Sequence, residues 1–243
     1  MYWSAVLAGF VGGFLGPLIG VGGGIIIVPV LNLSGVVFQA AAAASLFSIV
    51  VTSLTAVANY RRRIDFSLLA RYMALSAAAA AVSAFLSVSY SGRWVKVAYG
   101  VYLVSIGFLM LKNVRPTRRS AWAGYLLVLV GGLASSLFGI GGGTIFVPAL
   151  VLLLGMDAKT AAAMSMGLIL PTVLVATATY AALGALDLYL AVAIAAGSFA
   201  GSFLSSRYVM PRLRSESVKK LFTAYVFAVG AYYLWSSLSL SLP

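Results

Sequence analysis

Two decapeptides, GVGGGIIIVP at Gly20–Pro29 and GIGGGTIFVP at Gly139–Pro148, are identical at seven of ten positions and lie 119 residues apart. Glycine at Gly20, Gly22, Gly23 and Gly24, and again at Gly139, Gly141, Gly142 and Gly143, frees the backbone to turn sharply and lets a ligand approach N–H groups closely. A helix restarting just after such a turn directs several N–H donors, and about half a positive charge, at whatever lies in front of it. Two such termini aimed at one point, with the Thr144 hydroxyl beside the second, would hold a small anion without any basic side chain. The competing reading is plain packing, because glycine also lets membrane helices approach one another.

Further candidates are duplicated with the glycines. Ser45 matches Ser165 and Thr52 matches Thr172. Ser45 and Thr52, like Ser165 and Thr172, are seven residues apart and so share a helix face. These hydroxyls either line a pore beside the turns or satisfy their own backbone. Tyr60 and Tyr180 lie near the ends of apolar runs, where Tyr serves as an interfacial anchor or, alternatively, as a ligand or gate. Asp65 and Asp187 also match, and either cap the helices that follow them or couple transport to protons. Asp157 and Glu216 read as solvated loop residues. With no Cys and no His in the sequence, and no Asp or Glu in the middle of a run, acid–base and metal chemistry lack their groups. No enzyme activity, cofactor or metal is expected.

The elements that must position these residues are membrane spans. Of 243 residues, 63% are hydrophobic and only 8% charged, and the mean hydropathy is +1.08. Soluble domains carry about 25% charge. Apolar runs cover 2–31, 36–60, 66–90, 94–111, 121–154, 160–183, 186–206 and 218–240. Each is long enough to approach or exceed the ~20 residues that cross a bilayer core. The chain is therefore an all-α polytopic membrane protein, with lipid as its first partner. Its net charge of +12 lies in the short connections, which sets topology and does not signal nucleic acid. The first residues lack the basic region of a signal peptide, so they are expected to be retained. Trp3, Trp94, Trp122 and Trp235 fall at expected interfaces, Pro29 and Pro148 are expected to limit the returning helices, and Pro171 to kink a span. Alanine runs at Ala40–Ala44 and Ala77–Ala81 would allow close helix contact within a protomer or in a homodimer.

The matches divide the chain into a first repeat at 1–112, a basic linker at 113–120 and a second repeat at 121–243, together forming one membrane domain. If all eight runs cross, Lys and Arg divide equally between the two sides, against the positive-inside bias. If 2–31 and 121–154 enter and return as broken hairpins, each repeat keeps three spans and the second is inverted relative to the first. All basic residues but Arg93 and Lys96 then fall inside, and both termini fall outside. Breaking the hairpins around Gly16–Gly24 and Gly139–Gly143 leaves arms of about 13 and 10 residues, which meet near the midplane at ~1.5 Å per residue.

The twin G-x-GGG-x-x-x-VP segments, the stretch GMDAKTAAAMSMGLI at Gly155–Ile169 and the duplication resemble the sulfite exporter family TauE/SafE over essentially the whole chain. That resemblance implies export of sulfite, sulfoacetate or related organosulfur anions across the plasma membrane. The residues by themselves imply only a small anionic substrate. An anion channel, an uptake permease for another anion and a membrane scaffold without transport remain alternatives.

Overall fold

The computed structural model describes residues 2–89 and 121–239, with residues 101, 104, 105, 107, 108 and 111 helical between them. Most of the run at 94–111, with Arg93, Lys96, Trp94 and the 113–120 linker, lies outside the described residues. The first half contributes α1 (Tyr2–Ile19), α2 (Gly24–Leu33), α3 (Phe38–Tyr60) and α4 (Phe66–Ser89). The second contributes α5 (Ala121–Phe138), α6 (Gly143–Leu152), α7 (Ala158–Ala182), α8 (Leu188–Leu204) and α9 (Ser215–Ser239). A π-turn at Ser205–Val209 extends α8. Among the described residues, four stretches are long and apolar enough to cross a bilayer: Phe38–Arg63, Phe66–Ser87, Ala158–Ala182 and Leu188–Arg212. Exposed Leu, Phe and Val side chains cover their outer faces, as lipid contact requires. The protein is a multi-pass helical membrane protein.

Both long first runs break at their glycines. Helix α1 ends in a Schellman turn: Gly20 takes a φ of +73° and the Val21 N–H donates to the Gly16 carbonyl at 3.0 Å. Gly139 at +67°, with Ile140 N–H donating to the Ser135 carbonyl at 3.1 Å, ends α5 in the same way. The first arm of each hairpin is longer than the expected length of about 13 residues, whereas the second has the expected ten. Helices α1 and α5 have 18 residues each, about 27 Å, whereas α2 and α6 have ten. Gly12, Gly13 and Gly16 do not end α1, because each is held against a backbone neighbour that a side chain would displace. Pro29 and Pro148 lie inside α2 and α6 and terminate neither, a second correction. Pro171 is accommodated inside α7.

The two halves interleave. Helix α1 packs chiefly on α8, and α4 chiefly on α5, so each half's broken hairpin leans on the other half's helix. Gly9 and Gly13 of α1 meet Ile194 and Ser198, while Gly197 and Gly201 of α8 meet Val6 and Phe10. This is close small-residue packing from both sides. Ala41–Ala44 are fully buried and Ala42 lies against Gly139, so that alanine face is used within the chain.

The interleaving defines two ends. At one, Arg61–Arg63 contact α7, the Asp65 N–H lies 3.1 Å from Met164 Sδ, and Lys159 Nζ donates to the Pro211 and Leu213 carbonyls at 3.0 and 2.9 Å. At the other, Leu186 and Leu190 join a cluster with Leu31, Val36 and Phe38.

Candidate functional site

The two glycine turns touch. Ser45 Oγ on α3 donates to the Gly139 carbonyl at 2.8 Å, and Ser165 Oγ on α7 donates to the Gly20 carbonyl at 2.6 Å. Each serine thus satisfies the exposed carbonyl at the end of the other half's broken helix. Gly24 lies against the Gly139 carbonyl and Gly143 against the Gly20 carbonyl, backbone on backbone. Ile49, fully buried on α3, reaches both Gly22 and Gly141. Loss of the Ser45 hydroxyl in Ser45→Ala would strand a buried carbonyl, at a cost of about 1–3 kcal/mol. A fall in the thermal unfolding midpoint in detergent, matched by Ser165→Ala, is the expected result.

The helices that restart after the turns are uncapped by side chains. Gly23 and Gly142 are their N-caps, in left-handed conformations at φ +93° and +76°, and neither offers a side-chain acceptor. Gly22 and Gly141 are left-handed as well, at +87° and +89°. The carbonyl ends of α1 and α5 are therefore answered by serine donors, while the amide ends of α2 and α6 carry no side-chain acceptor. Thr144, in the first turn of α6, is buried with the turn.

Thr52 and Thr172 lie deeper along the same helices and are fully buried. Their hydroxyls donate back to the Ser48 and Leu168 carbonyls at 3.1 and 2.7 Å, and Thr172 also bonds Ser76. Tyr60 and Tyr180 are not at the surface, against the expectation of interfacial anchors. They are 4% and 1% exposed, and their hydroxyls donate to the Pro17 and Ser136 carbonyls at 3.3 and 3.0 Å. These carbonyls lie in the last turns of α1 and α5, just before the breaks. Trp3, Trp122 and Trp235 are largely exposed.

Asp65 and Asp187 act as helix caps, accepting from Ser67 and Leu68 N–H and from Leu190 N–H at 3.0–3.1 Å. Asp157, read from sequence as merely solvated, is a cap too: it accepts from Lys159 and Thr160 N–H and from Ser215 Oγ, which ties α7 to α9. Burial pushes its carboxyl up, but the bonds from Thr160, Ser215 and Lys159 outweigh that and hold its pKa below the ordinary value. Sequence reading missed this cap because Asp157 has no partner in the other repeat.

The family described as sulfite exporter TauE/SafE matches the chain over residues 5–233, which takes in both glycine turns and all or most of each helix named above. The chain belongs to the TauE/SafE family. Its relatives include a "Probable membrane transporter protein YunE" of Bacillus subtilis (strain 168), 25% identical over 96% of this chain and 97% of that protein. A "Probable membrane transporter protein MJ0441" of Methanocaldococcus jannaschii is 28% identical over 68% of this chain and 66% of that protein. No solved structure shows a significant match. This TauE/SafE protein is a membrane transporter and not an enzyme.

Proposed function

We propose that this transporter exports small sulfur oxyanions, sulfite, sulfoacetate or related organosulfonates, through a site near the bilayer midplane where the two glycine turns meet. One observation carries the reading: two buried helix N-termini, one from each repeat, are capped by glycine alone and lie beside carbonyl ends that serine hydroxyls already satisfy. That arrangement favours an oxyanion and gives a cation little to coordinate. Gly20, Gly22, Gly23 and Gly24, with Gly139, Gly141, Gly142 and Gly143, would form the site and Thr144 stands beside it; Ser45, Ser165, Thr52 and Thr172, whose hydroxyls already donate to carbonyls, would line the route, with Tyr60, Tyr180, Asp65 and Asp187 at its ends. Uptake into inverted vesicles of sulfite, sulfoacetate, sulfate and thiosulfate, compared side by side, tests the substrate class. Saturable flux of a sulfonate or sulfite supports it, and a preference for none of them counts against it.

The repeats are proposed to sit inverted in the plasma membrane, with both termini outside. The clustering of Arg61–Arg63, Lys159 and Pro211–Leu213 at one end, with Leu31, Val36 and Leu186 at the other, supports this over eight full crossings. Eight crossings would put residues 32–35 and Glu216 on one side, and the inverted arrangement puts them on opposite sides. Single cysteines are silent against a chain without Cys. An impermeant thiol reagent should label Ser34→Cys from outside and spare Glu216→Cys. Equal labelling of both defeats the arrangement.

The backbone contact between the turns favours a second reading, in which they only lock the halves together and the protein is a scaffold. Measured flux separates the two. For a homodimer, α4 offers the remaining alanine face, where Ala78 is exposed.

A further inference from the structure

The two turns are matched in sequence but differ in one buried hydroxyl. Where the first repeat has Gly16 in the last turn of its long arm, the second has Ser135 at the same 119-residue offset. Ser135 is fully buried, and among the described residues its Oγ has no hydrogen-bond partner. An unsatisfied hydroxyl in a membrane protein's interior costs free energy unless something uses it. The first repeat shows where the side chain points. A Cβ on Gly16 would lie 2.7 Å from Gly22 C and 2.8 Å from Gly23 N, directly on the glycine turn. Carried over to the second repeat by the 119-residue offset, that vector runs from Ser135 toward Gly141 and Gly142, at the uncapped start of α6. Position 16 has no room for a hydroxyl, so the donor exists on one side alone.

At Gly141 the second turn is roomier than the first is at Gly22. A Cβ on Gly22 would stand 2.7 Å from Ile49 Cγ2, whereas one on Gly141 would stand 3.3 Å from the same atom. A second unpartnered buried hydroxyl, Thr177 Oγ1, belongs to the same half, one turn before Tyr180 on α7. At its matching position the first repeat has Val57.

We infer that the oxyanion is held off-centre, at the second glycine turn, with the Ser135 hydroxyl donating to it beside the amide groups that open α6. This rests on the glycine-turn reading above and adds to it a specificity-determining side chain and a side. The bound species is an oxyanion with an acceptor oxygen in reach of both a hydroxyl and an amide, as in sulfite or a sulfonate headgroup.

The test uses the full chain in proteoliposomes, with whichever of sulfite, sulfoacetate, sulfate and thiosulfate the wild type carries fastest. Ser135→Ala and Ser135→Gly, the latter copying the first repeat, should raise KM roughly ten- to a hundredfold with little change in maximal flux. Because the hydroxyl has no protein partner to lose, the unfolding midpoint of Ser135→Ala without substrate should stay level or rise, which a structural hydroxyl would not allow; Ser135→Gly adds the cost of glycine inside a helix and is read on KM alone. Ser135→Thr, which keeps a donor, should restore part of the affinity. An unchanged KM overturns the inference, and so does a raised KM accompanied by a lowered midpoint. Gly142→Val separates the two levels of the argument. If it blocks flux while Ser135→Ala leaves KM untouched, the turn is the site and Ser135 is not a ligand; if it transports normally, both readings fail.

Discussion

Valine in place of Gly142 should abolish anion flux, whereas alanine in place of Gly184 should leave it within about twofold of wild type. Both glycines are left-handed, at φ +76° and +72°, so alanine at Gly184 bears a backbone strain of roughly 1–2 kcal/mol and the β-branched valine at Gly142 bears more. They differ in surroundings. Nothing lies within 4 Å of a Cβ on Gly184, while one on Gly142 would lie 2.6 Å from the Gly131 carbonyl oxygen and crowd the Phe146 ring. The turn at Gly142 must open to admit a side chain, and the amides at the start of α6 lose their aim. Gly12 is no neutral comparison, although it precedes the break, because a Cβ there would lie 2.9 Å from the Gly23 carbonyl oxygen. A gentler variant shows whether the loss is in transport or in folding. At Gly141 an added Cβ meets only Ile49 and Ile169 methyl groups at 3.3–3.4 Å, so Gly141→Ala should fold with a midpoint close to that of Gly184→Ala. Its flux should nevertheless fall by roughly tenfold or more, the loss expected when a charge-assisted hydrogen bond is displaced. Equal flux in the two alanine variants would mean that the turn serves packing alone.

Flux should follow an imposed potassium-diffusion potential and ignore an imposed pH gradient once substrate protonation is held constant. Coupling to protons requires a titratable group along the pathway. The carboxylates nearest the spans, Asp65, Asp157 and Asp187, are all engaged as helix caps at span ends. An anion leaving a cell that is negative inside is already driven outward by about 2.3 kcal/mol per charge for each 100 mV. That corresponds to about a fiftyfold concentration ratio for one charge, and the square of it for two. Export therefore needs no coupled ion. The measurement is initial efflux from proteoliposomes at several clamped potentials, with a control at zero potential under a proton or sodium gradient. Flux that requires either gradient at zero potential would refute the proposal, and Asp65→Asn and Asp187→Asn would then be the variants to make.

Much of this was legible in the residues. Hydropathy alone identifies the spans, because a helix facing lipid has to be apolar along its whole length. The breaks are legible because only glycine takes the left-handed backbone of a Schellman turn without penalty, and Gly20 and Gly139 stand where each apolar run becomes too long to cross once. Duplication named Ser45 and Ser165, Tyr60 and Tyr180, and Asp65 and Asp187 as pairs. It could not say what they touch. The serine that answers Gly139 is 94 residues away, and the one that answers Gly20 is 145 residues away. No local pattern carries a contact of that length. Tyr60 and Tyr180 looked like interfacial anchors because they stand near span ends, but each is buried with its hydroxyl on a carbonyl in the last turn of its own half's broken helix. Searching for matched residues also hid Ser135, whose interest lies in having no match.

The sequence by itself determined a helical membrane protein in two copies, each with a helix that must break at glycine, since these are properties of composition, period and backbone freedom. Only the tertiary structure decided that each half would complete the other. A carbonyl freed at a break inside the membrane needs a donor, and the donor nearest in space comes from the opposite repeat. The same packing, by pressing Gly16 against its own turn and leaving Ser135 beside the other, made two nearly identical decapeptides chemically unequal.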